Sequence, residues 1–350
     1  MFRSLRPQVF STIAFGVAGC GCVVGVEDAA GKVVAGASIE RFVVAMGTSL
    51  QLEVVAADRA TALQASEAAV RALESTEQRL SSWRPDSELS RFVAAPAGSA
   101  FAASTALCDD LRRAAAWGDA TGGAFDPTIG ALVDCYDLRG DGRWPSEQQL
   151  DAARARCGAD LVRIENRALR RTGDVRLDAG AFGKGAGLDA ASAAALDAGA
   201  SAVTFDFGGQ VHLAGAAAPR DIELADPRDR ARPVVRLRMD RGSVATSANS
   251  ERRRIVAARP LGHVLDPRTG RPAADFGSVT IVADSAFDAD CLSTACFVLG
   301  PREAIAFAER TDGVEAVVLL VSEHPRSLTA RVTSGLRERV EPLLPDLIIR

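Results

Sequence analysis

The spacing of apolar residues predicts a mixture of helices and short strands along most of this 350-residue chain. Apolar and polar side chains alternate over residues 50–54, which predicts a strand because successive side chains of a strand point to opposite faces. Apolar residues at helical intervals predict helices over residues 58–80, 104–121 and 288–299. Shorter helices are predicted from residue 146 and over residues 302–310.

Short apolar stretches in the middle of the chain predict paired strands. Residues 166–170 and 175–177 flank Thr172-Gly-Asp174, which predicts a hairpin turn. A glycine-rich bend over residues 180–187 opens a helix that extends to about Ala198. Further strands are predicted at residues 202–205, 222–225, 234–239, 279–283 and 316–321. This mixture predicts one α+β unit of short antiparallel strands and packed helices, with a two-lobed arrangement left open, rather than a parallel βαβ series.

The N-terminus has the pattern of an export signal. Arg3 and Arg6 precede an uncharged, mostly apolar run over residues 9–19, which is too short to span a bilayer, so residues 1–19 are predicted to be a signal peptide. The run ends in Val17-Ala-Gly-Cys20, which resembles a bacterial lipobox. A lipidated Cys20 would anchor an exported lipoprotein to the membrane on its periplasmic side. An ordinary signal peptide with a chance cysteine is the alternative.

The residues after the signal divide into two predicted segments. Residues 20–40 are rich in Gly, Ala and Val without clear periodicity, which predicts a flexible tether. Residues 41–350 are expected to form one functional domain, because a chain of this length can bury a large core.

Composition is ordinary for a globular protein, with 47% hydrophobic residues, 25% charged residues and a net charge of −4. The cluster Arg252-Arg-Arg254 is only three residues long, so no nucleic-acid partner is expected. The seven cysteines show no metal-binding spacing. Cys135 with Cys157 is the one pair worth testing for a disulfide, and Cys291 and Cys296 are expected to be buried apolar residues.

Asp290 and Thr294 carry the first candidate chemistry. They lie four residues apart on the predicted helix over 288–299, so both side-chain oxygens extend from one face, one turn apart. A carboxylate and a hydroxyl in this arrangement suit Mg²⁺, which keeps water ligands and shares its coordination sphere with phosphates. The alternative is structural: an aspartate in the first helical turn stabilised by the helix dipole, and a threonine bonded back to the chain.

Two other segments carry candidate chemistry. Residues 263–270 predict a turn that brings an aspartate and an arginine close to His263. Residues 177–185 predict a strand, a glycine-rich bend and a helix N-terminus, an arrangement that binds anions because free N–H groups and the helix dipole face the ligand. Lys184 could add a positive charge to a phosphate there. A tight turn that only permits close strand–helix packing is the alternative.

Seven short blocks stand in order between residues 42 and 321. They are Met46-Gly-Thr48, the LSSWRPDSELS segment over residues 80–90, Gly123-Ala-Phe-Asp-Pro127, and residues 177–185, 244–247, 263–270 and 289–295. Together they resemble the FAD:protein FMN transferases, or ApbE flavin transferases, and seven blocks in order make the resemblance specific. One departure is Ala248-Asn-Ser250, where the family often has Gly, a polar residue and an aromatic.

The resemblance implies a fold, a substrate and a metal. It implies an ApbE-like mixed fold and a site in which FAD contacts Met46, Trp83, Ala124, Phe125, Asp126, Asp178, Lys184 and Leu265. It also implies that Mg²⁺ is bound by the Ala181 carbonyl, Asp290 and Thr294, with diphosphate oxygens and water completing the sphere. These implied metal ligands agree with the spacing of Asp290 and Thr294, which by itself suits Mg²⁺. Trp83 offers a flat face to a flavin or adenine ring, and an aromatic core anchor is the alternative.

The resemblance further implies a reaction. A threonine hydroxyl of a membrane-associated electron-transfer protein attacks the FMN-side phosphorus of FAD, AMP leaves, and FMN stays attached by a phosphoester. Threonine is a weak nucleophile that needs a base, and His263 is the candidate because imidazole titrates near neutral pH. A structural histidine is the alternative. Two other functions stay open, an FAD pyrophosphatase that releases FMN and AMP, and a non-catalytic flavin-binding lipoprotein.

Overall fold

The computed structural model describes residues 24–27, 33–216, 218–251, 254–322 and 327–350. In these residues the α-helices are α1 (Arg59–Leu80), α2 (Glu88–Ala94), α3 (Thr105–Ala120), α4 (Gly130–Cys135), α5 (Glu147–Arg154), α6 (Gly183–Asp197), α7 (Ala286–Leu299) and α8 (Pro301–Glu309). The strands are β1 (Val24–Glu27), β2 (Val33–Ala45), β3 (Thr48–Ala56), β4 (Phe101–Ala102), β5 (Val162–Glu165), β6 (Ala168–Arg171), β7 (Ala200–Phe207), β8 (Gln210–Gly215), β9 (Arg220–Asp226), β10 (Asp229–Met239), β11 (Gly242–Ala248), β12 (Arg254–Val256), β13 (Arg259–Leu261), β14 (Leu265–Asp266), β15 (Arg271–Pro272), β16 (Gly277–Ala283), β17 (Val314–Val321), β18 (Leu328–Val332), β19 (Val340–Pro342) and β20 (Ile348–Ile349).

A ten-stranded sheet organises the described chain, in the order β1-β2-β3-β7-β8-β11-β16-β17-β18-β20. Its neighbouring strands are antiparallel except for β18 and β20, which are parallel. Helices α1 and α6 cover β3 and β7 on one face, and α7 and α8 continue that layer over β16 and β17. A smaller sheet, β19-β10-β9, covers the opposite face. The α+β class predicted from the sequence is therefore confirmed.

Helices α6 and α7 are apolar on nearly all sides, and this explains why they lie inside the protein. Ten of the fourteen residues of α7 are buried, and α6 buries a series of Gly and Ala residues. A helix without a polar face is stable only where neighbours cover it all round. The two helices pack against each other, and α6 also packs against α1. The N-terminal ends of α6 and α7 meet close to the glycine-rich bend.

Polar side chains fix where several of the predicted helices begin. Asp58 caps α1 by accepting a hydrogen bond from the N–H of Thr61 at 2.9 Å. Ser104 caps α3 and Ser285 caps α7 in the same manner. Each cap satisfies an N–H group that has no partner within its own helix. The helices predicted over 58–80, 104–121 and 288–299 are confirmed, with ends shifted by one or two residues.

The hairpin predicted around Thr172-Gly-Asp174 is wrong. The hairpin is formed by β5 and β6, with Glu165 opposite Ala168, so the turn lies at Asn166. Asn166 has a φ of +54°, in the left-handed region that Asn tolerates better than most residues. Residue 176 forms only an isolated parallel bridge with Ile129. The sequence interpretation favoured the glycine and passed over the asparagine.

The flexible tether predicted over residues 20–40 is wrong where the chain is described. Residues 24–27 pair with 33–36, and β2 then pairs with β3 from Ala37 to Ala45. Main-chain hydrogen bonds to a neighbouring strand order this segment although its side chains show no periodicity. The predicted signal peptide over residues 1–19 and Cys20 lie outside the described residues.

The cysteines of the described chain are free. Cys135 and Cys157 form no disulfide, and Cys291 and Cys296 are fully buried as expected. Burial raises the pKa of the Cys157 thiol to about 11 and also raises that of Cys296, to about 12. These thiols are therefore protonated near neutral pH and pack as small apolar groups. Among the described residues, no helix combines the length and apolarity needed to cross a bilayer.

Candidate functional site

The glycine-rich bend and helix α7 meet at Asp290. Lys184 Nζ donates a hydrogen bond to Asp290 Oδ1 at 2.8 Å, and the Gly185 N–H donates to Oδ2 at 3.0 Å. Only 5% of the Asp290 side chain is exposed, so its charge needs these partners. Asp290 lies in the second turn of α7, whereas the acid in the first turn is Asp288. The alternative of a first-turn aspartate is therefore wrong for Asp290.

Gly185 and Asp189 of α6 hold the start of α7 in place. A Cβ atom at Gly185 would lie 2.2 Å from the carbonyl oxygen of Ala286, so only glycine allows this approach of the two helices. The Asp189 carboxylate accepts hydrogen bonds from Ser285 Oγ and from the Ala286 and Phe287 N–H groups, at 2.7, 2.7 and 3.2 Å. These bonds satisfy donors at the start of α7 that lack partners within the helix. Helix α6 therefore determines where the carboxylate of residue 290 stands.

Hydroxyl groups surround the second turn of α7. Ser247 Oγ, on β11, lies 2.9 Å from Ser293 Oγ and 3.5 Å from Thr294 Oγ1. Ser293 Oγ in turn donates to the carbonyl oxygen of Asp290 at 3.0 Å. The sequence marked residues 244–247 as one of the family-like blocks but assigned Ser247 no partner. Its place beside Thr294 follows from the packing of α7 on β11, which only the fold shows.

The oxygen atoms at this site fit a hard divalent cation. Asp290 and Thr294 supply a carboxylate and a hydroxyl from one helix, and Ala181 lies in the bend just before α6. Among the described residues, no group of three or more His, Cys, Asp or Glu side chains could hold a metal ion. A cation here would complete its sphere with backbone, phosphate and water oxygens, which is how proteins commonly bind Mg²⁺. The nearly buried Asp290 carboxylate already forms an ion pair with Lys184.

Trp83, Arg139 and Asp178 form a second cluster. The guanidinium carbon of Arg139 lies 5.4 Å from the centre of the Trp83 ring, and its Nη2 lies 2.7 Å from Asp178 Oδ2. Asp178 Oδ1 accepts the N–H of Gly180 at 2.7 Å, which ties the cluster to the glycine-rich bend. Trp83 is 70% exposed, so the alternative of an aromatic core anchor is wrong. The sequence interpretation did not identify Arg139.

Met46 lies beside the same end of α6. It occupies the turn between β2 and β3 with a φ of +47°, and its N–H donates to Glu77 Oε2 at 3.1 Å. A Cβ atom at Gly187 would lie 3.1 Å from the Met46 methyl carbon, so the thioether packs closely on α6. The first family-like block is thereby placed next to the bend over residues 180–187.

A cleft of about 470 Å³ opens between residues 123–126, the C-terminal end of α5 and the turn over 263–270. It is lined by Gly123, Asp126, Asp151, Arg154, Ala155, Cys157, Gly158, Pro267 and Arg268. The N–H and Oγ1 of Thr128 donate to Asp126 Oδ1, at 2.7 and 2.6 Å. Burial nevertheless raises the pKa of the Asp126 carboxyl. The cleft joins two family-like blocks that are far apart in the sequence.

Three of the predicted FAD contacts have buried side chains. Ala124, Phe125 and Leu265 are buried, with the Phe125 ring in the core formed with α3 and Leu265 packed with α4 and α5. A ligand at these positions would meet main-chain atoms rather than these side chains. The sequence could not distinguish a side chain that contacts FAD from one that packs in the core, because an apolar residue in a motif can do either.

A turn within residues 263–270 is confirmed, between β14 and β15, whereas the closeness of His263 to Asp266 and Arg268 stays a prediction. The Asp266 carboxylate binds Nε and Nη2 of Arg268 at 2.9 and 3.0 Å, and its carbonyl oxygen accepts the N–H of Gly270 at 2.7 Å. His263 is half-buried and lies between β13 and β14, at the start of this turn. Its role as a base stays a prediction.

Comparison with known proteins gives consistent matches. A family model described as the ApbE family matches residues 46–318. An FAD:protein FMN transferase of Klebsiella pneumoniae (strain 342) is 30% identical over 292 residues, covering 79% of this chain and 83% of that protein. Another, from Treponema pallidum (strain Nichols), is 31% identical over 300 residues, covering 77% and 80%.

Solved structures give the same result. The ApbE protein of Thermotoga maritima superimposes with a TM-score of 0.78 at 26% identity, covering 86% of this chain and 99% of that one. The flavin transferase ApbE from Vibrio cholerae has a TM-score of 0.74 at 25% identity, covering 87% and 99%. These structures match most of the chain, and the range of the family model, residues 46–318, contains both clusters described above.

Proposed function

Because this chain belongs to the ApbE family, we propose that it is an FAD:protein FMN transferase that uses Mg²⁺ and modifies a threonine of an acceptor protein. The observation that carries this proposal is the contact of Asp290 with Lys184 and Gly185. It unites a helix N-terminus, a positive charge and a nearly buried carboxylate in one place. Such a site suits a diphosphate with a divalent cation.

The proposed metal site consists of Asp290, Thr294 and the carbonyl of Ala181. Bound Mg²⁺ would neutralise charge on the diphosphate and orient it. Lys184 and the positive end of the α6 dipole add further positive potential toward phosphate oxygens. Trp83, Met46 and Asp178 are the proposed contacts to the remainder of FAD, together with residues 124–126 and Leu265.

The proposed chemistry is a displacement at phosphorus. The threonine oxygen of the acceptor forms a bond to the FMN-side phosphorus, and the bond from that phosphorus to the bridging oxygen breaks. AMP leaves with the bridging oxygen, and the hydroxyl proton passes to His263. FMN is then joined to the acceptor by a phosphoester. Most of the rate gain is expected from positioning and electrostatics, as is general for transfers at phosphorus.

The proposed location of this enzyme is the exported side of a membrane. The apolar run over residues 9–19 and the lipobox-like Val17-Ala-Gly-Cys20 support export and lipidation at Cys20. A lipid-anchored enzyme would reach a membrane-associated electron-transfer protein, and this is the acceptor class that we propose.

Intact-mass spectrometry tests the proposed reaction directly. The protein is incubated with Mg²⁺, FAD and an acceptor domain, with a matched acceptor whose threonine is replaced by valine. We expect an FMN adduct on the first acceptor only, with AMP released in equal amount. Free FMN and AMP without an adduct would instead indicate an FAD pyrophosphatase. Retention of intact FAD without AMP would indicate a non-catalytic flavin-binding protein.

Replacement of His263 tests its proposed role as the base. We expect His263→Gln to lower kcat for FMN transfer by about 10²–10³-fold, because a positioned proton acceptor contributes on this scale. FAD affinity, measured by isothermal titration calorimetry, should be unchanged, since glutamine preserves bulk and polarity. A variant that turns over at the wild-type rate would exclude His263 as the base and support the structural alternative.

A further inference from the structure

Arg139 connects two residues of the proposed FAD site that are far apart in the sequence. It lies between the exposed ring of Trp83 and the carboxylate of Asp178. We propose that Arg139 is a positioning residue for FAD, which holds the Trp83 ring and the Asp178 carboxylate in one fixed arrangement. This inference rests on the proposed function, because it assigns a task within the same substrate site.

The backbone around Trp83 is fixed, but its side chain extends from the protein surface. The Trp83 N–H donates to Ser81 Oγ at 3.3 Å, and the carbonyl oxygen of Ser81 accepts from Ser87 Oγ and from Ser90 Oγ at 3.0 Å. These bonds order the LSSWRPDSELS segment without restraining the indole. The Arg139 guanidinium over the ring supplies that restraint, since a cation over an aromatic face is attracted to its π-electrons.

The guanidinium of Arg139 is itself held by two carboxylates. Nη2 lies 2.7 Å from Asp178 Oδ2, and Nη1 lies 3.7 Å from Asp134 Oδ1. Only 29% of the Arg139 side chain is exposed, so these pairs are partly shielded from water. A planar group with several donors can satisfy both carboxylates and still cover a ring, whereas the single ammonium of lysine cannot do all three.

The arrangement leaves one face of Trp83 for a ligand. The guanidinium covers the other face, and the ring as a whole is 70% exposed. A flat heteroaromatic ring of a dinucleotide can stack on the uncovered face. Asp178 also accepts the Gly180 N–H at the glycine-rich bend, so Arg139 couples the ring platform to the segment proposed to hold the diphosphate.

Three variants test this inference. Arg139→Ala removes the guanidinium, Arg139→Lys keeps the charge without the planar fork, and Arg176→Ala is the matched control. Arg176 pairs with the same Asp134, at 2.7 Å, but is 49% exposed and has no part in the Trp83–Asp178 cluster. FAD dissociation constants are measured by quenching of protein fluorescence, and KM for FAD and kcat are measured for FMN transfer.

We expect Arg139→Ala to raise KM and the dissociation constant for FAD by about tenfold, with kcat changed less than twofold. Arg139→Lys should restore only part of the affinity, and Arg176→Ala should match the wild type. In a Trp83→Ala background the effect of Arg139→Ala should be smaller, because residues that act through one another are not additive. Thermal melting checks that each variant is folded.

Several results would overturn the inference. They are unchanged FAD affinity in Arg139→Ala, an equal loss in Arg176→Ala, complete restoration by lysine, or full additivity with Trp83→Ala. If the wild-type protein binds FAD but transfers no FMN, the proposed function fails, while the affinities still decide the role of Arg139. If the wild-type protein binds no FAD, both proposals fail.

Discussion

Asp290→Asn is expected to reduce FMN transfer by at least ~10³-fold while the protein stays folded. The amide keeps the shape of the carboxylate and can still accept the Gly185 N–H, so packing is preserved. It removes the negative charge that pairs with Lys184 and that is proposed to bind Mg²⁺. Loss of metal-ion stabilisation worth several kcal/mol corresponds to this factor in rate. Transfer rates over a Mg²⁺ titration measure both the maximal rate and the metal requirement.

Asp288→Asn is the matched control for this experiment. Asp288 lies on the same helix but accepts hydrogen bonds from Trp117 Nε1 at 2.7 Å and Arg113 Nη2 at 3.2 Å, away from the glycine-rich bend. An asparagine there can still accept from Trp117, so transfer should stay within about twofold of the wild type, because both partners of Asp288 lie outside the proposed site. Equal activity of both variants would contradict the proposed site.

Gly185→Ala is expected to lower the free energy of unfolding by about 3 kcal/mol, the scale of overpacking in a tightly packed interior. The added methyl group would stand 2.2 Å from the Ala286 carbonyl oxygen and 2.6 Å from the Phe287 Cα, both main-chain atoms that cannot move alone. Helix α7 must therefore shift as a whole. Urea denaturation followed by circular dichroism measures the change, and FMN transfer should fall with it because the shift moves Asp290.

Gly183→Ala is the control for crowding, because a Cβ atom there meets the Ala179 side chain at an ordinary 3.6 Å. Its backbone is helical, so we expect alanine to raise the free energy of unfolding by less than about 1 kcal/mol, as usual when alanine replaces a glycine in a compatible conformation. Similar stability for the two variants would show that α6 and α7 tolerate separation at this crossing.

Much of the site was predictable because its residues act locally. The four-residue interval between Asp290 and Thr294 places both on one helix face whatever the tertiary structure. The turn over residues 263–270 likewise depends on neighbours, namely Asp266 with Arg268 and Gly270. Residues that are close in the sequence are also close in space here, so periodicity and turn chemistry are enough to predict that they share a site.

Residues that act across the fold were not predictable in this way. Asp189 meets Ser285 only because α6 crosses α7, and Arg139 meets Trp83 only after the region beyond α4 folds back. Residues 33–40 gave no strand signal because their sequence shows no clear alternation, and they are ordered by main-chain pairing of β2 with β1 and β3. The hairpin at Asn166 was missed for a different reason, since asparagine competes with glycine for left-handed turn positions.

Helices α6 and α7 are far apart in the sequence, and this determines when during synthesis the protein can become active. Gly185 and Asp290 are 105 residues apart, and strands of the ten-stranded sheet and of the β19-β10-β9 sheet lie between them. A nascent polypeptide that has emerged only as far as α6 has a glycine loop and a lysine but no carboxylate to complete them. Catalysis must therefore await synthesis through α7, and a fragment ending before that helix should be inert even if its first strands have already paired.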